Sequence, residues 1–309
     1  MTLIQPPMMV NGGTHPARAF RMMVRDLARG SQGVTEGEDL KVRSTATPGA
    51  AVRVGDGSAI VRGATWGQGS YTQYNVGDAL VPIAPTGGTR RSDLVLLRVE
   101  DPEYEGTRNP ATQDIGYFHV IPNVPANTTA PPPGMTGIPL ARIDLPPNCA
   151  TVTDALITDL RSIANPRRQR QLQTINGFPY SQLPSQSGVW QDDWPPNGRV
   201  FTDVPAWATA SNVTATLTGI RVWGETYFGV RMKWGDWIGT EYQVDTDTIT
   251  YVSRNSVMAS DSPALAPYFR GRTQELRLQA GRYNNANGGG DVSGSTALIF
   301  DVEFIEGVI

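Results

Sequence analysis

The sequence predicts a mainly β protein: a β-rich N-terminal domain with short helices, then an antiparallel β-sandwich or jelly-roll-like domain. Three observations carry this. Short runs of alternating apolar and polar residues recur along the chain, as half-buried strands require. The 33 glycines and 24 prolines are spread between those runs, which favours many turns over disorder. Composition also changes across Thr153–Gln171, with six of the seven tryptophans lying from Trp190 to Trp237. At 309 residues the chain can hold two domains with a core each. The expected division is 1–164, a linker over 165–187, and 188–309.

Taken in order, Pro16 to Arg29 reads as a helix, with Pro16 suited to the first turn and Gly30 as the stop. Phe20, Met23, Val24 and Leu27 form one apolar stripe, and Arg18, Arg21 and Arg25 lie off it. Two readings stand: the stripe packs on its own domain, or Phe20 and Met23, with Arg21 and Arg25 beside them, dock a partner.

Strand signals follow. Ala50 to Val54 and Ser58 to Gly63 flank Gly55-Asp56-Gly57, a hairpin signal, and Tyr71 to Val76 and Ala79 to Ile83 flank Gly77-Asp78. Asp93 to Val99 is a nearly continuous apolar run, suiting a strand buried on both faces. Ile115 to Ile121 and Ile138 to Leu145 are further strands, separated by the proline-rich loop Pro122–Gly134. Thr153 is placed to cap a helix from Asp154 to about Ile163, which Asn165-Pro166 would end. Arg167, Arg168 and Arg170 then read as solvated charges at the head of the linker.

The second half alternates steadily. Val213, Ala215 and Leu217 share one face, as do Phe228, Val230, Met232 and Trp234, and Leu298, Phe300, Val302 and Phe304. Asn197-Gly198 marks a turn, and Asn284–Gly290 an exposed loop tip. Trp234 belongs to a core face. Trp190 and Trp194 flank Asp192 in a loop-like context, and Trp237 follows Gly235-Asp236. Aromatic rings beside carboxylates suit stacking on and hydrogen bonding to sugars. Trp190, Trp194, Trp237, Asp192 and Asp236 are therefore the candidate ligand contacts, with packing as the competing role.

Several classes are excluded or disfavoured. The net charge of −3 supplies no basic field for nucleic acid or an anionic membrane, and no apolar stretch approaches a membrane span. The N-terminus lacks the pattern of a signal peptide, so a soluble chain made in the cytoplasm is expected. Cys149 is the lone cysteine, so no internal disulfide forms. His15 and His119 are far apart and near no metal-ligand partner, and no nucleophile elbow or phosphate loop occurs. Asp192, Asp193, Glu225, Asp236, Glu241, Asp245 and Asp247 offer carboxylates for a glycosidase, but spacing does not pair them. Asp245-Thr246-Asp247 reads as a polar turn rather than a calcium loop. No enzyme, cofactor or metal is expected.

The order of a short N-terminal helix, AAVRVGDGSAIVRG, RRSDLVLLRVED, IPLARIDLP and ITDLRSIANPR resembles the N-terminal region of minor tail proteins from siphophages of actinobacteria. These are tail-tip or baseplate-attached fibre and receptor-binding proteins. The resemblance covers about half the chain, Met1–Arg168, and rests on the order of the motifs rather than on any one of them. It implies a virion protein, a homotrimer, anchored to other tail-tip proteins by its first half, with the second half facing the host envelope. A host cell-surface glycan is the expected ligand, by that resemblance and the aromatic loops. A glycan-degrading tailspike hydrolase and a purely structural tail-tip component are the alternatives.

Overall fold

The computed structural model describes residues 16–184, 188–283 and 288–309. His15 and part of the expected loop tip, residues 284–287, lie outside them. The protein is mainly β, built from antiparallel sheets, with one α-helix among the described residues. It divides into two units: the chain up to Pro166 with Val308–Ile309, and Arg167–Gly307. No helix among the described residues is long and apolar enough to cross a membrane.

The first unit contains α1 (Ala17–Leu27), β1 (Gly33–Val34), β2 (Val42–Gly49), β3 (Ala51–Val54), β4 (Gly57–Arg62), β5 (Ser70–Asn75) and β6 (Ala79–Pro82). It continues with β7 (Arg91–Val99), β8 (Gly116–Val124), β9 (Gly137–Leu145) and β10 (Ile157–Asp159). These form three sheets, in the orders β1-β4-β5, β2-β3-β6 and β10-β9-β7-β8. Their inward residues, among them Val52, Val54, Ala59, Val61, Val95 and Ile143, make one core. β7 is buried from Ser92 to Leu97, as its unbroken apolar run requires.

Three expectations for this half are corrected. Gly55-Asp56-Gly57 is not a hairpin turn: β3 pairs with β2 and β6, while β4 pairs with β1 and β5. Val52, Val54, Ala59 and Val61 are all buried, so the chain crosses there from one sheet to another, and it crosses again at Gly77-Asp78 between β5 and β6. The helix expected from Asp154 is a single 3-10 turn, Asp154–Leu156, followed by β10 on the edge of β9. A helix of ten residues is marginal alone, and the open edge offers β-branched Ile157 and Thr158 a ladder instead. The stretch expected as linker contains strand, because Arg168–Asn176 pairs along its whole length with the strand Ala297–Glu306, while its residues 185–187 lie outside the described ones.

The second unit runs through β11 (Arg168–Asn176), β12 (Ser181–Gln182), β13 (Trp190–Gln191), β14 (Arg199–Val204), β15 (Ala208–Trp234) and β16 (Trp237–Ile238). β17 (Tyr242–Asp261), β18 (Arg272–Arg282), β19 (Gly289–Val292) and β20 (Ala297–Glu306) complete it. All ten join one antiparallel sheet. β15 is its spine, pairing with β20 over its first part, β18 over its last, and β17 through both. A β-bulge at Gly219 adds a residue and changes the parity of the alternation. Val213, Ala215 and Leu217 face inward before it, and Ile220, Val222 and Phe228 after it. Phe228, Trp234, Phe300 and Phe304 are fully buried, and side chains of this class contribute roughly 1.5–3 kcal/mol each by burial.

The run Arg167, Arg168, Arg170 is also not merely solvated. Arg167 pairs with Glu306, Arg168 with Glu303 at 3.3 Å, and Arg170 with Asp301, a ladder joining β11 and its flank to β20. Asp245-Thr246-Asp247 is strand rather than turn, lying within β17 opposite Tyr227 and Thr226.

Candidate functional site

The α1 helix docks in an unexpected sense. Its arginines face its own unit: Arg18 Nε donates to Gly67 O at 2.8 Å and Arg21 Nε to Gln68 O at 3.0 Å. Arg21 also pairs with Glu103 at 2.6 Å and Asp101 at 3.3 Å, over the rings of Tyr71 and Tyr104, while Arg25 lies over Trp66. The receiving surface, built from the segments 66–71 and 101–104, consists of carbonyls, carboxylates and ring faces, to which a guanidinium is complementary and an alkyl stripe is not. Gly69 permits the approach, since a Cβ there would lie 2.7 Å from the Arg21 backbone. Burial and the hydrogen bond to Asp101 push the Tyr71 phenol well above its ordinary range. Phe20 and Leu27 are consequently 45% and 73% exposed, and Met23 and Val24 are half-buried. Val24 and Leu27 border an apolar groove of about 470 Å³ with Ile60 and Thr72. Arg21 and Arg25, expected beside a partner, are instead internal contacts.

In the second unit the five expected ligand contacts separate. Trp194 is 1% exposed and belongs to the core, so it is not a surface ring. Its flanking turn at Asn197-Gly198 folds the largest apolar side chain inward, where burial gains most. Trp190 lies on the outer face of the sheet, along Gly281 and Gly229, whose added Cβ atoms would meet its ring at about 3 Å. Arg231 caps it at 4.1 Å and Tyr283 meets it edge-on. Asp192 is held by Lys233 at 3.0 Å and by Gln279, and the Lys233 hydrogen bond keeps its carboxyl below the usual range. Trp190 and Asp192 are therefore engaged in cross-strand packing.

Trp237 and Asp236 come together elsewhere. β15 and β16 form a tight hairpin in which Trp234 pairs with Trp237. Gly235, with φ +55°, takes the first central position and Asp236 the second, the arrangement a two-residue primed turn requires. Gly235 N–H is bonded to Glu275 O, and Gly239 N–H to Met232 O, so both ends of the hairpin are tied to the sheet. A Cβ on Gly239 would fall 2.8 Å from the Trp237 ring and 2.6 Å from Asp261, so this glycine sets how the indole lies.

Across from the hairpin runs the loop from Pro263 to the 3-10 turn Pro267–Phe269. Together they enclose an open groove of about 380 Å³. Beneath it lie Trp234 and Phe269, both buried and edge-to-face with centroids 5.2 Å apart, and Trp234 Nε1 donates to Thr202 at 2.9 Å. Its walls include Trp237, Ile238 at 42% exposure and Tyr268 at 63%. Asp236 stands exposed at the rim, the one carboxylate among the described lining residues. Such a surface can stack a ring and accept hydrogen bonds from its hydroxyls. Tyr268 was not anticipated, although an aromatic pair after Pro267 in a stretch rich in alanine and proline is a visible signal.

The remaining carboxylates named above, Asp193, Glu225, Glu241, Asp245 and Asp247, do not line this groove. His119 packs edge-on against Tyr117, and burial holds it below its ordinary pKa. Among the described residues, no group of three or more His, Cys, Asp or Glu is placed to hold a metal ion.

No protein-family model and no curated protein matches the chain. Solved structures match only faintly. One is infectious bursal disease virus, Gx strain, at 13% identity and TM-score 0.26, covering 89% of this chain and 76% of that one. Another is the VP2 subviral particle of the same virus, at 12% and 0.25, covering 91% and 73%. A third is latent PorU from Porphyromonas gingivalis, at 11% and 0.27, covering 89% and 21%. TM-scores of this size do not define a shared fold.

Proposed function

We propose that the protein is a noncatalytic virion attachment protein of a bacteriophage. The first unit would hold it at the tail tip, through the outward stripe of α1. The second unit would bind a host cell-surface glycan. The motif order of the first half supports the tail assignment, and the exposure of Phe20 and Leu27 at the two ends of the stripe supports attachment through α1. The single observation that carries the binding role is the groove lined by Trp237, Tyr268 and the exposed Asp236, backed by the buried Trp234 and Phe269. Three copies in a homotrimer would raise effective concentration, so each groove can be individually weak.

A glycan hydrolase remains the second reading, favoured only by Asp236. Glycoside hydrolysis ordinarily needs two carboxylates across the scissile bond, and Asp236 has no acidic companion among the described lining residues. A purely structural tail-tip role is the third.

Incubating the full chain with host cell-wall polysaccharide separates these readings. Retention without release of reducing ends is expected, with Trp237→Ala abolishing retention. Released reducing ends would establish the hydrolase reading instead, and no retention would favour the structural one. A solution mass measurement is expected to give a trimer; a monomer would overturn that part.

A further inference from the structure

The groove beside Trp237 carries a sign as well as a shape. Asp236 is the one charged side chain among its described lining residues. The backbone of the facing loop is largely engaged inward: Pro263 O accepts from Ser211 N–H, Leu265 N–H donates to Thr209 O, and Ala266 O accepts from Phe269 N–H. The neighbouring cation, Arg270, directs its Nε to Leu265 O at 2.8 Å. Asp261, beyond Gly239, is bonded to Thr240 through both oxygens. The polar side-chain groups among the described lining residues are the Asp236 carboxylate, the Tyr268 hydroxyl and the indole N–H groups of Trp237 and Trp234, the last donated to Thr202. Aromatic faces are themselves electron-rich and attract cations and polarised C–H groups rather than anions.

Resting on the binding reading above, we infer that this groove selects sugars that are neutral or carry an amine, and rejects saccharides bearing carboxylate, sulfate or phosphate. Hydroxyls or an ammonium donate to Asp236. A second anion brought beside it meets no lining cation to offset the repulsion.

The test uses the full chain and three tetrasaccharides: N-acetylated chitotetraose, its de-N-acetylated amine form, and tetragalacturonate. Binding is followed by tryptophan fluorescence and calorimetry at pH 5.5 and low salt. The acetylated sugar is expected to bind, the amine form more tightly, and the galacturonate at least tenfold more weakly than the acetylated one. Asp236→Asn is expected to erase the preference for the amine, and Asp236→Lys to improve galacturonate binding. Galacturonate binding as tightly as chitotetraose, or an order unchanged in Asp236→Asn, would overturn the inference. Binding by none of the three would overturn it too. Retention on host polysaccharide then decides separately whether the binding reading stands.

Discussion

Arg21 shows how one side chain decides what a helix offers. It is only 12% exposed, and Asp101, its partner, is 10% exposed. Asp101 also accepts from Tyr71 Oη at 2.7 Å, in a network reaching Gln68 and Thr136. Replacing Arg21 by alanine would leave a buried carboxylate without its cation, and a loss of about 3 kcal/mol is expected in urea unfolding. The carboxylates predict a pH response as well. The Glu306 carboxyl, though pushed up by burial, is brought below its ordinary 4.5 by its bonds to Arg167, and Arg170 lowers Asp301 below 3.8. A folded pKa below the unfolded one adds stability above the unfolded value and loses it as pH falls through the folded value. The urea midpoint should therefore hold from pH 7 to about 5 and decline below about 4. Glu306→Gln should cost about 1 kcal/mol at pH 7 and lie closer to the wild type at pH 3. The stripe and the arginines of α1 were legible from spacing. Which face would dock was not, because that depends on the carbonyls and rings of a loop more than 40 residues further on.

At the scale of elements, parity was readable within each strand and unreadable across bulges. Val213 to Leu217 and Phe228 to Trp234 each showed their inward face in sequence, but their union in one strand depends on Gly219. That glycine has φ +75°, and an added Cβ would sit 2.6 Å from Ser295 O, so Gly219→Ala is expected to destabilise by about 2–3 kcal/mol. Gly294, with open space around it and no left-handed φ, is the control: alanine there should be neutral or slightly stabilising. Circular dichroism melts of the two variants check both. The same limit explains the lost helix after Thr153. Leu156, Ile157 and Leu160 satisfy a helical stripe, yet Ile157 opposite Ile143 satisfies a strand equally well, and only the free edge of β9 decides between them. The candidate site divided on similar grounds. Trp237 lines the groove because a Gly-Asp turn places it at a hairpin tip, whereas Trp194 has equally loop-like neighbours and is core. Local sequence names the turn but not the side of it that the ring takes.

For the whole molecule, connectivity has a consequence that stability can report. The second unit starts and ends on paired chain: Glu306 N–H donates to Arg167 O at 3.1 Å, and β11 and β20 pair over nine residues. A fragment spanning 167–307 thus contains both partners of each of those bonds and the core formed by β14, β15, β18 and β20. It should fold alone, with the tryptophan emission and thermal transition of the second unit in the full chain. The first unit is discontinuous in sequence. Arg161, its guanidinium buried, donates to Gly37 O and Asp39 O and also to Ile309 O at 3.1 Å, while Ile309 N–H donates to Gly37 O at 3.0 Å and Val308 packs on the unit's core. Deleting Val308 and Ile309 would leave Arg161 with one acceptor fewer and open the edge of that core. The expected result is a lower transition for the first unit, by about 1–2 kcal/mol, with the second unit's transition unchanged. Differential scanning calorimetry of the truncated and full chains reads both, and a drop confined to the second unit's transition would contradict this division of the chain.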